Sequence, residues 1–289
     1  MNLKQILESF VSVNKDHFEH LKAQSKASRL DNYEAEELYG LVHTKCSPVF
    51  VLSTGRCGTM LLTKILSSFS ELEVYHEPYP EFVWHNKYAY ENYSENAHSV
   101  SMMFDVARYE MIRTAFLNNK TYIETNNRIT FFAHQIADLY PNAKFIHLIR
   151  EPVSFVKSGF SRNWYRGKTI YDEGRITDQA RNEKWNNYEI IEKITWLWGA
   201  TNDFILDFKS QTGAPVFEIS SKQLFNSTEK VQQLLSFLNL DSINAKTLEN
   251  LLKKPVNSSK SKIHFSKEEI EKVESILTQF KSYQILENK

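Results

Sequence analysis

The sequence predicts an α/β fold in three layers, with a central parallel sheet flanked by helices and a helical arm at the N-terminus. Short apolar runs alternate with longer amphipathic segments along the 289 residues, which is the pattern of strands joined by crossover helices. The run Lys144–Ile149 is almost continuously apolar, as expected for a strand buried on both faces. A glycine-containing turn follows the first run, where a parallel sheet places its ligands.

Two parts of the chain are expected to differ in role. Residues 1–45 are predicted to be the helical arm packed on the main domain, and residues 46–289 to be the α/β domain. In the arm, the apolar residues between Leu3 and Leu21 have mostly helical spacing, and a second short helix is expected over 32–41. The strands are expected at 49–53, 74–78, 122–124, 144–149 and 215–219. Helices are expected over 58–69, 99–117, 129–140, from Pro152 onward, 183–209, 228–238, 244–253 and 266–280, with polar, aromatic-containing loops at 79–96 and 161–182.

Composition excludes several classes of protein. Lysine plus arginine and aspartate plus glutamate both number 35, so the formal net charge is zero, which argues against a nucleic-acid or membrane-surface binder. The two cysteines, Cys46 and Cys57, do not form a disulfide framework, and they fit a reducing compartment. We see no signal-peptide core and no long uncharged apolar run, so we expect a cytoplasmic protein without an integral membrane segment.

The turn after the first strand has the features of a phosphate-binding loop (P-loop). Gly55 and Gly58 allow close backbone approach, and the N-terminus of the following helix presents amide N–H groups to an anion. Arg56 adds a forked positive charge and Thr59 a hydroxyl. The turn differs from the G-x-x-x-x-G-K-[ST] loop of nucleotide triphosphatases, because it has no lysine after its last glycine. An ordinary strand–turn–helix connection with a surface arginine remains an alternative.

A second informative stretch ends the strand at 144–149. Arg150 leaves this buried strand, Pro152 opens a helix, and Ser158 follows eight residues after the arginine. Both side chains could meet a second phosphate from one side. Alternatively, Arg150 pairs with Glu151 or Glu77 and the serine lies on a solvated face.

Together the two stretches resemble the 3′-phosphoadenylyl sulfate (PAPS)-dependent sulfotransferases. Within that family, they look most similar to the bacterial and Golgi-type carbohydrate and tyrosyl-protein branches. That family has a [KR]-x-G-T loop after its first strand, here Arg56 to Thr59. It also has a strand that ends in Arg-(Asp/Glu)-Pro with a serine eight residues after the arginine, here Arg150 and Ser158. The two motifs are about ninety residues apart, which suits the family, and the resemblance covers roughly residues 48–165.

The resemblance implies a sulfotransferase that moves a sulfuryl group from PAPS to the hydroxyl of a small-molecule or glycan acceptor, releases PAP and needs no metal. Glu77 is the first candidate for the general base, His76 the second, and Arg56 is expected to stabilise the leaving group. A basic, serine-rich loop at 255–262 is expected to take the place of the family's C-terminal 3′-phosphate loop. The residues expected to bind the donor are Gly55, Arg56, Cys57, Gly58, Thr59, Met60, Arg150, Ser158, Lys260 and Lys262.

The sequence departs from the family pattern at two positions. Cys57 stands where many members have serine, and Thr125 stands where several carbohydrate branches have a lysine. Without that lysine, Arg56 is left as the main cation, aided by Arg128. Two other readings stay open: a small-molecule or nucleoside kinase, which the missing Gly-Lys-[ST] opposes, and a nucleotide-binding module that has lost its chemistry.

Overall fold

A computed structural model describes residues 33–244, 246, 248, 250 and 263–287. Five parallel strands form a sheet in the order β2-β3-β1-β4-β5. All five predicted strands are confirmed, with shifts of up to two or three residues at their ends. Their bounds are β1 Val49–Leu52, β2 Leu72–Tyr75, β3 Thr121–Glu124, β4 Lys144–Ile149 and β5 Val216–Ser220.

Helices connect the strands and extend beyond them at both ends of the chain. Two 3₁₀ segments, Asn127–Phe132 and Gln179–Arg181, add to the α-helices. The α-helices are α1 Ala35–Lys45, α2 Thr59–Leu66, α3 Val83–Asn92, α4 Ala97–Leu117, α5 Ala133–Leu139, α6 Pro152–Phe160, α7 Ile170–Glu173, α8 Asn182–Asn187, α9 Ile190–Thr212, α10 Ser221–Asn226, α11 Thr228–Phe237, α12 Lys267–Leu277 and α13 Lys281–Glu287.

Side chains of the central strands alternate between two apolar layers. Phe50 and Leu52 of β1 pack into one core, and Val49 and Val51 pack into the other. All four are essentially fully buried, because successive residues of a strand face opposite sides of the sheet. The core on the Val49 side includes α2 and α11, and the core on the Phe50 side includes α4, α5 and α9. The predicted three-layer α/β architecture is therefore confirmed.

Four predicted assignments are wrong. The segment 161–182 was expected as a loop, but it contains the short helix α7 and the 3₁₀ segment Gln179–Arg181. The segment 79–96 was expected as a loop, but it contains α3, whose buried residues are only Val83 and Ala89; so small a buried set leaves almost no apolar period to detect. The predicted helix 183–209 is two helices, α8 and α9, separated at Tyr188 and Glu189, where both residues are extended. The predicted helix 129–140 begins as a 3₁₀ turn before α5.

The described part of the predicted arm packs on the main domain. Leu38 and Val42 of α1 are buried in the core, and His43 Nε2 lies 2.8 Å from Asp105 Oδ1 of α4. Residues 1–32, and with them the predicted helix between Leu3 and Leu21, lie outside the described residues, so the extent of the arm stays a prediction. The basic loop 255–262 also lies outside them. In the ranges that are described, no helix is long and apolar enough to cross a membrane.

The contact between α1 and α4 shifts the pKa values of both partners. Burial by itself lowers the pKa of His43, but its hydrogen bonds to Asp105 and the Tyr39 carbonyl outweigh burial and raise the pKa above 6.5. Burial by itself raises the pKa of Asp105, but hydrogen bonds from His43 and Tyr39 outweigh it and lower the pKa below 3.8. Both shifts favour the charged pair, so this contact is a titratable part of the fold.

Candidate active site

The turn between β1 and α2 has a backbone that an ordinary residue adopts only with strain. Gly55 and Gly58 have φ of +79° and +108°, and Arg56 has φ of +57°. Gly58 is the residue before α2, and its carbonyl accepts hydrogen bonds from the amides of Leu61 and Leu62. No side chain caps this helix start, so the first amides of α2 are available to an anion.

Hydrogen bonds inside the turn fix its shape. The Ser53 amide donates to Thr130 Oγ1 and the Thr130 hydroxyl donates to the Ser53 carbonyl, both at 3.1 Å. The Gly55 amide donates to Ser53 Oγ at 3.2 Å. Cys57 is fully buried, and its thiol donates to the Gly55 carbonyl at 3.0 Å. Burial raises the pKa of the Cys57 thiol to about 11, so it stays protonated and supports the turn from inside; only its backbone is left to contact a ligand.

Arg150 joins the end of β4 to this turn. Its Nη1 donates to the Arg56 carbonyl at 2.7 Å, across a sequence separation of 94 residues. Its Nε and Nη2 donate to Ser154 Oγ at 3.0 and 2.6 Å. Trp198 Nε1 donates to the Arg150 carbonyl at 2.8 Å, so both the backbone and the guanidinium of Arg150 are held in place. The alternative pairing of Arg150 with Glu77 is not what the structure shows, because Glu77 pairs elsewhere.

Ser158 lies on the same helix as Ser154, and a further arginine holds it. Arg162 Nη1 donates to the Ser158 carbonyl at 2.9 Å and to Ser158 Oγ at 3.0 Å. Burial lowers the pKa of Arg162, and the nearby charges of Arg56 and Arg150 lower it further. Burial likewise lowers the pKa of Arg150, and Arg56 adds to the effect. Three guanidinium groups therefore act on one another at the same edge of the sheet.

One atom of this cluster is buried and unpartnered. Arg56 Nε is inaccessible to solvent and has no hydrogen-bond partner in the described part of the chain. A buried donor without a partner is costly, and like charges brought together repel. A bound polyanion would satisfy the donor and relieve the repulsion, so the residues present fit a ligand that carries phosphate groups.

The carboxyl ends of β2 and β3 carry a different set of groups. His76 Nδ1 lies 2.9 Å from both the carbonyl and the hydroxyl of Thr125. Because a carbonyl only accepts, Nδ1 carries the proton and Nε2 is the basic nitrogen of the neutral ring. Thr125 Oγ1 also lies 2.6 Å from the hydroxyl of Thr63, which donates to the Thr59 carbonyl. This chain of hydrogen bonds connects His76 with the first turn of α2.

Glu77 follows β2 with a φ of +47°. Its Oε2 lies 3.4 Å from Nη1 of Arg128, which also lies 3.6 Å from Oε2 of Glu81. The Arg128 guanidinium covers the ring of Tyr171 at 4.9 Å. Arg128, expected to aid Arg56, is therefore engaged by two carboxylates at the β2 end of the sheet.

The structure also contains site residues that the sequence analysis missed. Ser221, the first residue of α10, donates to the Cys57 carbonyl at 2.7 Å and so ties the turn to the end of β5. Arg162 had a usable signal, since it lies four residues after Ser158, in the turn directly after α6. Met60 is partly exposed in the first turn of α2. Lys260 and Lys262 lie outside the described residues, and their predicted contact with the donor stays a prediction.

Comparison with solved structures returns sulfotransferases at low identity. The sulfotransferase domain from the curacin biosynthetic pathway is 17% identical with a TM-score of 0.46, and the match covers 73% of this chain and 79% of that one. A sulfotransferase from Alicyclobacillus acidocaldarius is 16% identical with a TM-score of 0.48, covering 81% and 92%. Sulfotransferase STF9 from Mycobacterium avium is 9% identical with a TM-score of 0.46, covering 81% and 76%. No curated protein matches the sequence.

The sequence itself matches a family model. The model is described as the sulfotransferase family, and it matches residues 48–194, just over half of the 289-residue chain. The matched span begins before the turn that carries Arg56, and it contains Glu77, Thr125, Arg150 and Arg162. The protein therefore belongs to the sulfotransferase family.

Proposed function

We propose that the protein transfers a sulfuryl group from PAPS to an acceptor hydroxyl on a glycan or glycoconjugate. The observation that carries the proposal is the cluster of Arg56, Arg150 and Arg162 around a turn whose Arg56 Nε is buried and unpartnered. PAPS carries a 5′-phosphosulfate and a separate 3′-phosphate, so it needs two anion sites close together. When bound, it supplies the activated sulfuryl group.

Different residues are proposed to bind the two phosphate-bearing ends of the donor. In the proposal, the amides at the start of α2, with Arg56 and the Thr59 hydroxyl, hold the 5′-phosphosulfate and stabilise charge on the departing oxygen. Arg150 and Ser158, supported by Arg162, hold the 3′-phosphate and so select this donor over ATP. Positioning and charge stabilisation supply most of the rate enhancement in such transfers, and the proposal includes no metal.

A general base must take the proton of the acceptor hydroxyl. Glu77 is our first choice, because its carboxylate is partly exposed beyond β2, and Arg128 orients it from 3.4 Å. His76 is the second choice. Its hydrogen bond to the Thr125 carbonyl leaves Nε2 basic, and the same bond suits a purely structural role.

Exposed aromatic rings near Glu77 support a sugar acceptor. Tyr79 is 88% exposed, Trp84 is 55% exposed and Tyr171 is 41% exposed. The Trp84 indole is fixed by a hydrogen bond from Nε1 to Glu173 at 2.9 Å. Flat rings of this kind stack on the apolar faces of sugars, and the adjacent carboxylates can accept hydrogen bonds from sugar hydroxyls.

Charge favours an uncharged sugar over a polyanion. Glu81 and Glu77 both lie within 3.6 Å of the Arg128 guanidinium, so these carboxylates already neutralise its positive charge. Glu173 adds a further carboxylate beside Trp84. A polyanionic chain would meet the carboxylates of Glu77, Glu81 and Glu173 here, which makes it a poor acceptor for this surface.

The first experiment compares thermal stabilisation of the protein by PAP, ADP and ATP–magnesium. A ligand that binds only the folded state raises the melting temperature by mass action. We expect a rise with PAP alone. A rise with ATP–magnesium alone would favour the kinase, and no rise with any of the three would remove the support for a nucleotide donor.

The second experiment measures transfer from radiolabelled PAPS to a panel of neutral oligosaccharides, desulfated glycosaminoglycans, tyrosine peptides and simple phenols. Glu77→Gln should lower turnover about a hundredfold or more while PAP binding is retained. Glu81→Gln is the matched control, because Glu81 shares the same arginine without being the proposed base. Full turnover in Glu77→Gln would refute the assignment of the base and leave the donor site untouched.

A kinase is a weaker candidate. The turn has no lysine after Gly58. A kinase needs a positively charged side chain in contact with the phosphate oxygens, together with bound magnesium. A binding module without chemistry is the other alternative, and it would bind PAP without transferring sulfuryl groups to any member of the panel.

A further inference from the structure

We infer that the buried pair of Arg108 and Glu124 is a positioning device for the segment 77–82, which carries the proposed base. The inference rests on the proposed function only in the role it gives to Glu77. Arg108 lies in the middle of α4 and Glu124 ends β3. Neither residue belongs to the two anion-binding motifs.

The segment has little backbone support of its own. In the described ranges, residues 77–81 take part in no backbone–backbone hydrogen bond. The hydrogen bonds that reach their carbonyls come from two arginine side chains. Arg108 Nη2 donates to the Pro80 carbonyl at 3.1 Å and to the Pro78 carbonyl at 3.4 Å, and Arg128 Nη1 donates to the Glu81 carbonyl at 3.4 Å.

The Arg108 side chain is itself fixed on every side. Both members of the pair are fully buried. Arg108 Nε and Nη2 donate to the two carboxylate oxygens of Glu124 at 2.8 and 3.0 Å. The Arg108 guanidinium covers the Phe82 ring at 4.2 Å, so it contacts the segment at three positions, Pro78, Pro80 and Phe82.

The same carboxylate also reaches the second arginine. Asn126 Nδ2 donates to Glu124 Oε1 at 2.9 Å, and Asn126 Oδ1 accepts from the Arg128 amide at 3.0 Å. The Tyr122 hydroxyl donates to Glu124 Oε2 at 2.8 Å, so both oxygens are fully used. One hydrogen-bond network therefore fixes the backbone that follows Glu77 and also the backbone amide of Arg128, whose guanidinium pairs with Glu77.

Stability alone is a poor reason for such a pair. Removing two charges from water is expensive, and apolar residues of similar size often replace a buried ion pair without loss. What an apolar pair cannot do is donate hydrogen bonds to the carbonyls of a segment without backbone partners. The geometry therefore points to orientation of the segment as the function of the pair.

Two variants test the inference. Arg108→Lys keeps the positive charge but has one ammonium group in place of a fork, so it cannot bind Glu124 at two oxygens and also hold both carbonyls. Arg108→Met combined with Glu124→Gln removes both charges. Arg113→Met is the matched control, because Arg113 lies on the same helix in a surface pair with Glu110.

Amide hydrogen exchange is the readout that needs no acceptor. In Arg108→Lys we expect the amides of Asn86 and Arg128, which donate to the Phe82 carbonyl and to Asn126 Oδ1 beside the segment, to exchange about tenfold faster or more. Those of residues 53–60 should be unchanged, and the control should match the wild type. We also expect unchanged PAP affinity and KM for PAPS, with kcat about a hundredfold lower because the base is misplaced.

The outcomes separate this inference from the proposed function. Local acceleration at the Asn86 and Arg128 amides supports positioning even if PAP does not bind, in which case the proposed function fails alone. Exchange that is unchanged at these two amides, or that rises equally throughout the protein, overturns the inference. If neither variant folds, as judged by near-ultraviolet circular dichroism, the pair is a stability element and the inference is likewise overturned.

Discussion

Replacing Gly58 with alanine tests whether the turn between β1 and α2 needs its unusual backbone. Gly58 has a φ of +108°, a region that residues with a side chain rarely adopt. A Cβ atom there would lie 3.0 Å from the Phe225 ring and 3.2 Å from the Leu224 side chain. Leu224 is fully buried and Phe225 is 41% exposed, so the ring can shift but the leucine cannot.

The expected cost has two parts. Backbone strain at such a φ amounts to about 1–3 kcal/mol, and crowding against a buried leucine adds roughly 1 kcal/mol. We therefore expect the free energy of unfolding to fall by about 2–4 kcal/mol, within the 5–15 kcal/mol typical of a folded domain. If the backbone shifts to relieve the strain, the first amides of α2 move as well, and PAP affinity should fall about tenfold, equivalent to roughly 1.4 kcal/mol.

Gly213→Ala is the control for strain without crowding. Gly213 follows α9 with a φ of +63°, and a Cβ atom there would meet nothing within 4 Å. This substitution should cost only about 1–2 kcal/mol and leave PAP affinity unchanged. Urea denaturation gives the free energies of unfolding, and titration calorimetry gives the affinities. If Gly58→Ala is as stable as Gly213→Ala and binds PAP like the wild type, the structural argument for the turn is wrong.

Two further predictions concern the donor site and the docking of α1. Arg150→Lys loses the fork onto Ser154 and the bond to the Arg56 carbonyl, so calorimetry should show PAP affinity about ten- to a hundredfold lower; unchanged affinity would contradict the assignment. The raised pKa of His43 contributes stability that is complete below 6.5 and is lost as the pH rises through the folded-state value. The lowered pKa of Asp105 contributes stability above 3.8 that is lost as the pH falls. The melting temperature of the wild type should therefore exceed that of His43→Gln most at about pH 5 to 6, and the difference should shrink toward about pH 9. A constant difference would show that the pair does not titrate with folding.

The strands could be predicted because a buried parallel strand gives a short, almost continuously apolar run in the sequence. The predicted bounds of β4 agree with the structure at both ends, because its run is almost continuously apolar. Helix α3 could not be predicted, since it buries only Val83 and Ala89, and of its aromatic residues Trp84 is exposed whereas Tyr90 contacts Phe131 and Trp196. Periodicity detects an element by the face it buries, and α3 buries almost none.

The site residues also differ in whether the sequence could identify them. Arg56 and Arg150 could be found because each belongs to a local motif at a strand end, and the structure brings the two residues into contact. Arg108 and Glu124 could not be found, because their pairing joins the middle of a helix to the end of a strand, and neither residue stands in a recognisable pattern. Local motifs identify the groups proposed to bind the ligand, whereas the groups proposed to orient the site are defined only by the tertiary fold.

The strand order explains why Arg56 and Arg150 are separated from the carboxylate of Glu77. Strands β1 and β4 are neighbours, so Arg56 and Arg150 meet at the centre of the sheet, whereas β3 and β2 lie on the other side of β1 and carry Thr125 and Glu77. A lysine in place of Thr125 would put a positive charge between these two groups. Thr125 is instead a neutral, fully buried node that connects His76 with α2. In the proposed reaction, charge on the departing oxygen would then be met from the β1 side, by Arg56, the Thr59 hydroxyl and the amides of α2, so the proposal depends on an accurate turn at Gly58.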